Sequence, residues 1–246
     1  MSCGCMESNP NPIGRRRFLG KLLPGTALVI AGLTSKPFSL NAESPKTGTP
    51  QEEEVSPVED LMREHGVLRR ILLIYNEALR KIQANEELPP QELLHAAEII
   101  RSFIEDYHEK LEEDFVFPRF RKAKRLVDLV DILFNQHQAA RRLTDTTLRL
   151  AKVQPLKDPK DRQDLSRSLE LFIRMYNPHA AREDTVLFPT FHKMVNPNEY
   201  DELGDAFENK EHQLFGKSGF ETIVERVSTI EKRFGIYDLQ KFTPTE

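Results

Sequence analysis

Apolar residues recur at steps of three and four through most of the chain after residue 57, which is the spacing of one face of an α-helix. The first stretch contains Val58, Leu61, His65, Leu68, Leu72, Tyr75, Leu79 and Ile82. Similar stripes occupy residues 91–117, 126–151 and 165–186, and prolines separate them. The pattern predicts an all-α protein in which residues 58–190 form an antiparallel up-down four-helix bundle with short connections.

The pattern in residues 198–235 is less regular, and we interpret this segment as one or two helices packed outside the bundle. Residues 236–246 are expected to be a tail. Pro118 is expected to end the second helix, and Pro178 to kink the fourth helix just ahead of His179, because proline supplies no backbone N–H.

The N-terminal part of the chain has a different character. Three arginines at 15–17 precede a short, weakly apolar stretch at 22–33. Basic residues followed by a short apolar region are typical of a secretory signal, and the consecutive arginines resemble a twin-arginine signal. We therefore expect a signal peptide at 1–42, a disordered linker at 43–57, and export to a bacterial periplasm. The alternative is a disordered basic tail. The chain would contact a membrane only through the signal, if it is retained.

The amino-acid composition argues against several classes of protein. The formal net charge of −4 lacks the basic surplus of a general nucleic-acid binder, so no nucleic-acid partner is expected. Both cysteines, Cys3 and Cys5, lie in the expected signal, so the processed chain would have no thiol for catalysis or metal binding. Only Gly66 lies between Gly48 and Gly204, whereas a β-rich protein needs frequent turn glycines.

An internal repeat is the strongest signal in the sequence. Residues 64–70 and 136–142 both contain His-x-x-x-Arg-Arg, and residues 108–112 and 179–183 both read His-x-x-x-Glu. Phe-Pro follows each His-x-x-x-Glu motif at the same distance. The chain therefore contains two copies of one helical hairpin, each with a histidine on its first helix and a His/Glu pair on its second.

The repeat predicts a set of metal-binding side chains in the bundle interior. They are His65, His108, Glu112, His137, His179 and Glu183. Histidine and glutamate four residues apart lie one turn apart on the same helix face, so both reach one centre. Such a polar set is costly to bury, whereas imidazole suits Fe, Zn or Cu and carboxylates can bridge two metals. We expect a two-metal site in which the two histidines of each copy hold one ion and both glutamates bridge.

The alternative is that each histidine is an ordinary core residue, but four in register across a repeat favour the metal site. His95 and His192 fall on the opposite sides of their helices and receive no role. Glu109 directly follows a predicted ligand. It is either a further ligand or an exposed helix glutamate.

At these residues the chain resembles hemerythrin-like proteins, over about residues 58–190. Residues 107–109 (Tyr-His-Glu) and 183–189 (Glu-Asp-Thr-Val-Leu-Phe-Pro) carry the resemblance most closely. The resemblance implies an antiparallel four-helix bundle with a non-haem di-iron centre, and hence two iron ions as the cofactor. It assigns the ligand role to the six histidines and glutamates given above.

Two positions in the family pattern bear on function. Oxygen-carrying hemerythrins have a further histidine where this chain has Arg141, and an aspartate at the position of Asp184. We prefer Glu183 as the ligand because it matches Glu112 in the repeat. Arg69 and Arg141 lie one turn from histidines and are either surface residues or groups that hold the two ligand glutamates ionised.

The resemblance implies a protein that binds iron and handles O₂, peroxide or NO, with catalase-like or peroxidase-like activity among its expected reactions. Without the further histidine each iron would have about four protein donors, fewer than the roughly five or six it takes, which leaves room for a small ligand. The alternatives are an iron- or oxygen-sensing or storage module without turnover, and a structural or zinc-holding bundle.

Overall fold

The computed structural model describes residues 55–89, 91–152 and 156–244. These residues form six helices, numbered here in chain order, and a short 3₁₀ turn at Leu239–Phe242. The helices are α1 (Pro57–Gln83), α2 (92–123), α3 (Val127–Ala151), α4 (159–194), α5 (Pro197–Phe215) and α6 (Gly219–Phe234). No β-strand occurs in this part of the chain, and the all-α prediction is confirmed.

The first helix begins with a side-chain cap. The Ser56 hydroxyl accepts a hydrogen bond from the Glu59 N–H at 3.3 Å, and Pro57 follows in the first helical turn. The last two residues of the expected linker therefore belong to the start of α1. The expected signal peptide at 1–42, and the linker as far as residue 54, lie outside the described residues.

Helices α2 and α4 contain π-helical turns at equivalent places, Glu112–Val116 and Glu183–Leu187. In the first, the Phe117 N–H donates to the carbonyl of the residue five positions earlier. The expectation that Pro118 ends the second helix is wrong, because the helix continues to Ala123. A π-helical turn is wider than an α-helical one, and it accommodates a following proline that has no N–H to donate. The helix also runs through Pro178, where the kink stays a prediction.

Packing contacts join α1 to α2, α2 to α3, α3 to α4 and α4 to α1, so these helices close a ring around one core. Their connections are short, which makes sequential neighbours antiparallel. The core is aliphatic and aromatic, and its largest fully buried side chains include Tyr75, Phe103, Phe117, Phe172 and Phe188.

The C-terminal extension forms two helices rather than one. Helix α6 packs on α1, α2 and α5. The rings of Phe215 and Phe220 lie 5.5 and 6.4 Å from the ring of Phe103 on α2, measured between centroids. Among the described residues, no helix combines the length and the apolar character needed to cross a bilayer.

Candidate metal centre

The six predicted ligands lie together inside the bundle. Each is at most 3 % exposed. Their donor atoms form two groups in which all atoms lie within 4.8 Å of one another, namely His65, His108 and Glu112, and Glu112, His137, His179 and Glu183. The four helices α1 to α4 therefore contribute to one centre, and Glu112 belongs to both groups.

Glu183 on α4 lies between histidines of both copies. One of its carboxylate oxygens is 3.3 Å from Nε2 of His65 on α1, and the other is 3.1 Å from Nε2 of His179. Neither oxygen has a hydrogen-bond partner within the described residues, and the side chain is fully buried. A buried carboxylate in this state is costly unless a cation or a proton joins it.

Glu112 on α2 has the corresponding position. Its carboxylate oxygens are 3.8 Å from Nε2 of His108 and 3.3 Å from Nε2 of His137. Both oxygens again have no hydrogen-bond partner within the described residues. Each glutamate thus reaches one histidine of each copy, which is where a carboxylate that bridges two metal ions would lie.

The other nitrogen of each imidazole, Nδ1, faces an acceptor outside the centre. In two cases the acceptor belongs to the same copy of the repeat as the histidine. Nδ1 of His108 is 2.7 Å from a carboxylate oxygen of Glu64, and Nδ1 of His179 is 2.8 Å from the amide oxygen of Gln136. An Nδ1–H that donates outward leaves the Nε2 lone pair free to bind a metal. Sequence reasoning missed both acceptors, although each directly precedes the first histidine of its copy.

Each of the remaining two acceptors belongs to the other copy of the repeat from the histidine that it contacts. Nδ1 of His65 is 2.7 Å from Asp184 on α4, and Nδ1 of His137 is 3.1 Å from Glu113 on α2. Each acceptor directly follows a predicted ligand glutamate, a pattern that the repeat could have revealed. Asp184 therefore lies on the outer side of the centre, and the carboxylate between the histidines is that of Glu183.

Burial shifts the ionisation of the centre. Burial and the charge of Glu183 raise the pKa of Glu112 well above its ordinary value. Burial acts to raise the pKa of Glu183, but the interactions with His179 and His65 together outweigh it and lower the pKa. Burial lowers the pKa of His65, whereas its contacts with Asp184 and Glu183 raise it more, to about 10. A divalent cation bound by these nitrogen and oxygen donors would neutralise the buried carboxylates in place of protons.

The sequence comparisons agree with this geometry. The family model described as "Hemerythrin HHE cation binding domain" matches residues 56–191, with an overlapping match at 128–228. The chain belongs to this family. Membership implies metal-ion binding, and the buried His/Glu groups are the residues that can provide it.

Two related sequences span nearly the whole chain. They are "Uncharacterized protein Mb2018" of Mycobacterium bovis and "Uncharacterized protein Rv1995" of Mycobacterium tuberculosis. Each is 43 % identical over 241 residues, covering 97 % of this chain and 94 % of the relative. No solved structure matches the chain significantly.

One side of this hemerythrin-type centre has a further buried carboxylate. Glu109 is 1 % exposed, so its interpretation as an exposed helix glutamate is wrong. It accepts a hydrogen bond from the Tyr176 hydroxyl and pairs with Arg141 at 2.7 Å. It approaches His137 only on the Nδ1 side, at 3.9 Å, and so lies outside the metal-facing region. Burial raises the pKa of Glu109 to about 7, although the neighbouring His137 and Arg141 lower it.

The two arginines near the histidines contact outer carboxylates rather than the ligand glutamates. Arg69 is half exposed and pairs with Asp184. Arg141 is 17 % exposed, and pairs with Glu113 at 2.9 Å as well as with Glu109. Each arginine therefore fixes an acceptor, and the acceptor in turn fixes an imidazole.

Two phenylalanines cover the centre. The ring of Phe188 stacks on His65 and that of Phe117 on His137, in both cases with a centroid distance of 5.5 Å and an interplanar angle of 23°. Both belong to the Phe-Pro motifs that follow the π-helical turns. In contrast, His95 and His192 are exposed, as predicted.

Proposed function

We propose that the centre holds two iron ions and that the protein handles O₂, peroxide or NO, with catalase-like or peroxidase-like turnover. The observation that carries the proposal is the position of Glu112 and Glu183. Each buried carboxylate lies between histidines of the two copies and lacks a hydrogen-bond partner among the described residues. Two carboxylates and two pairs of imidazoles would then hold one ion in each copy.

Bound iron would supply the redox chemistry, and the protein would supply orientation and proton transfer. Outward hydrogen bonds from Nδ1 fix the direction of every Nε2 lone pair. Phe117 and Phe188 lie over imidazoles and keep bulk water from that side of the centre. Arg141 stands where an oxygen carrier has a further ligand histidine, and its guanidinium binds carboxylates instead. Arg141 therefore supplies no donor to a bound iron, which would leave room for a small molecule.

Glu109 and Tyr176 would take part in proton transfer beside this site. The Tyr176 hydroxyl donates to Glu109, and its ring lies 5.1 Å from the ring of His179. Both side chains are buried, and their hydrogen bond joins a hydroxyl donor to a carboxylate acceptor. The carboxylate oxygen of Glu109 is therefore the proposed place where a proton is held.

The test begins with protein loaded anaerobically with Fe(II). We expect two iron ions per chain, an optical change on adding O₂, peroxide or NO, and oxygen evolution from peroxide. A double variant, His108→Ala with His179→Ala, should lose these signals, whereas His95→Ala with His192→Ala should keep them because both side chains are exposed.

Other results would assign another function. Protein that takes up zinc but little iron, with no spectral response to any of the three ligands, would indicate a structural or zinc-holding bundle. A loaded centre whose spectrum persists through many equivalents of peroxide, without oxygen evolution, would indicate iron storage or sensing.

We also propose export to the periplasm through a twin-arginine signal at 1–42. This route moves folded proteins, so iron could be inserted before Cu and Zn compete for the nitrogen and oxygen donors. The test fuses residues 1–42 to a fluorescent reporter and follows its location. Export should fail when Arg16 and Arg17 are replaced by lysine. Export that is unaffected by both replacements would contradict this proposal.

A further inference from the structure

An open groove with a volume of about 590 Å³ runs between α3 and α4. Leu143, Leu171 and Met175 give it an apolar floor, and Arg142 and Arg174 also line it. Leu171 is 38 % exposed, so part of this apolar lining is open to solvent. We call this feature the α3/α4 groove.

The repeat identifies the same groove in the first copy, between α1 and α2. Offsets of 72 residues for the first helices and 71 for the second match Arg142 with Arg70, Leu171 with Ile100, and Arg174 with Phe103. In the first copy Ile100 and Phe103 are fully buried. Helix α6 packs on both α1 and α2, so this groove is occupied by the chain's own C-terminal helices.

The occupied groove shows which contacts an occupant makes. The Arg70 guanidinium pairs with Glu231 of α6 at 2.6 Å and also donates to the Ser228 hydroxyl at 2.8 Å. Phe103 contacts Phe220 at the other end of α6. Between these ends, the side chains of Ile223, Val227 and Ile230 are buried.

No helix of the described residues covers the α3/α4 groove in this way. Arg142 and Arg174 are both exposed, and within the described residues neither guanidinium forms an ion pair or a hydrogen bond. Two such cationic grooves would repel each other if two copies of the chain met face to face, so charge complementarity requires an acidic occupant.

We propose that the α3/α4 groove docks an amphipathic, acidic helix of a partner protein. By equivalence with α6, the helix places one carboxylate opposite Arg142, where Glu231 lies opposite Arg70. It places a second carboxylate opposite Arg174, where Phe220 lies opposite Phe103. Residues 220 and 231 are eleven positions apart, or about three helical turns, so both carboxylates lie on one face. An apolar stripe between them would cover Leu171 and Met175.

The groove ends at Gln136, whose amide accepts the hydrogen bond from His179. A helix docked in the groove would therefore lie against the outer side of the metal centre. The proposal does not depend on which metal the centre holds, because it rests on the surface between α3 and α4.

The probe is a fluorescent peptide of residues 219–234 carrying Phe220→Glu, which has carboxylates at both required positions. Its binding to the full chain is followed by fluorescence anisotropy. We expect saturable binding that the double variant Arg142→Glu with Arg174→Glu weakens by about tenfold or more. A peptide with lysine at 220 and 231 should bind this double variant instead. Such binding would show that the variant is folded and that charge pairing in the groove determines affinity.

The matched control is Arg149→Glu with Arg167→Glu, which makes the same charge change on the exposed surfaces of α3 and α4 outside the groove. It should bind the acidic peptide as the unchanged chain does, apart from a small general charge effect. Equal loss in both double variants would overturn the proposal, as would no binding at millimolar peptide.

Two further outcomes would also overturn it by assigning another occupant. If sedimentation reveals a dimer of the chain that Arg142→Glu with Arg174→Glu abolishes, the groove is an interface between copies. If dodecanoate binds with the same arginine dependence while the peptide does not bind, the groove accepts a small amphiphilic anion.

Discussion

The first copy of the repeat, α1 with α2, and the second, α3 with α4, present the same ligands to the centre but differ around them. Where the first copy has Glu64 as an acceptor, the second has Gln136. Tyr176 occupies the position that corresponds to Glu105 in the first copy, and Ala180 the position of Glu109. The residues that face the centre are the same in both copies because they are the candidate metal ligands. The residues around them differ, and with them differ the charge, the proton-exchanging groups and the helix contacts of each half.

The largest expected effect comes from removing one histidine from each half. The double variant His108→Ala with His179→Ala should reduce bound metal from the proposed two ions per chain to well below one, because each proposed ion would lose one of its two imidazoles. Elemental analysis after dialysis measures this, and each single variant should lose the ion of its own copy first. Full metal content in the double variant would show that the two halves do not hold separate ions.

The second prediction exchanges the acceptors that distinguish the halves. Glu64→Gln removes the charge behind His108, and changes to such an acceptor typically cost about 10–100-fold in metal affinity. Gln136→Glu adds a charge behind His179 and should tighten binding in the second half. Titration against a competing chelator measures the metal affinity of each half as a separate binding step. The double exchange should reverse which half binds more tightly, and two unchanged steps would show that the acceptors do not distinguish the halves.

The third prediction compares equivalent arginines. Arg70→Ala leaves Glu231 buried without its cation, and should lower the free energy of unfolding by about 2 kcal/mol. Arg142→Ala removes an exposed side chain without a partner in the described residues, and should change stability by less than about 0.5 kcal/mol. Urea denaturation measures both. Equal losses would contradict the difference between the covered and uncovered grooves.

The smallest expected effect compares two buried tyrosines. Tyr176→Phe removes a hydrogen bond to Glu109 and should cost about 1–2 kcal/mol. The Tyr75 hydroxyl is buried with no hydrogen-bond partner in the described residues, so Tyr75→Phe should be neutral or slightly stabilising. Its ring contact with Phe172 remains. Thermal denaturation of both variants distinguishes them, and equal destabilisation would show that the Glu109 contact adds nothing.

Much of the fold follows from local patterns, because spacing of three and four residues determines which side of a helix is buried. The π-helical turns do not follow from that spacing. They change the number of residues per turn just where the ligand glutamates occur, so Pro118 is wrongly expected to end a helix that continues to Ala123.

The centre is predictable where the repeat is strict and less so elsewhere. The six inner residues recur in both copies, and so do the positions of the outer acceptors. Glu109 has no counterpart, since Ala180 occupies the equivalent position. Its burial depends on Tyr176 and Arg141, which come from other helices, and a pattern within one helix does not reveal such partners.

The hydrogen bonds between copies have a consequence for how the chain can be divided. His65 relies on Asp184 and His137 on Glu113, so neither hairpin orients both of its own imidazoles. The smallest unit that can orient all four imidazoles is a pair of hairpins, whether or not a peptide bond joins them. Residues 124–126, which join α2 to α3, raise the local concentration of one half near the other and contribute no orienting group.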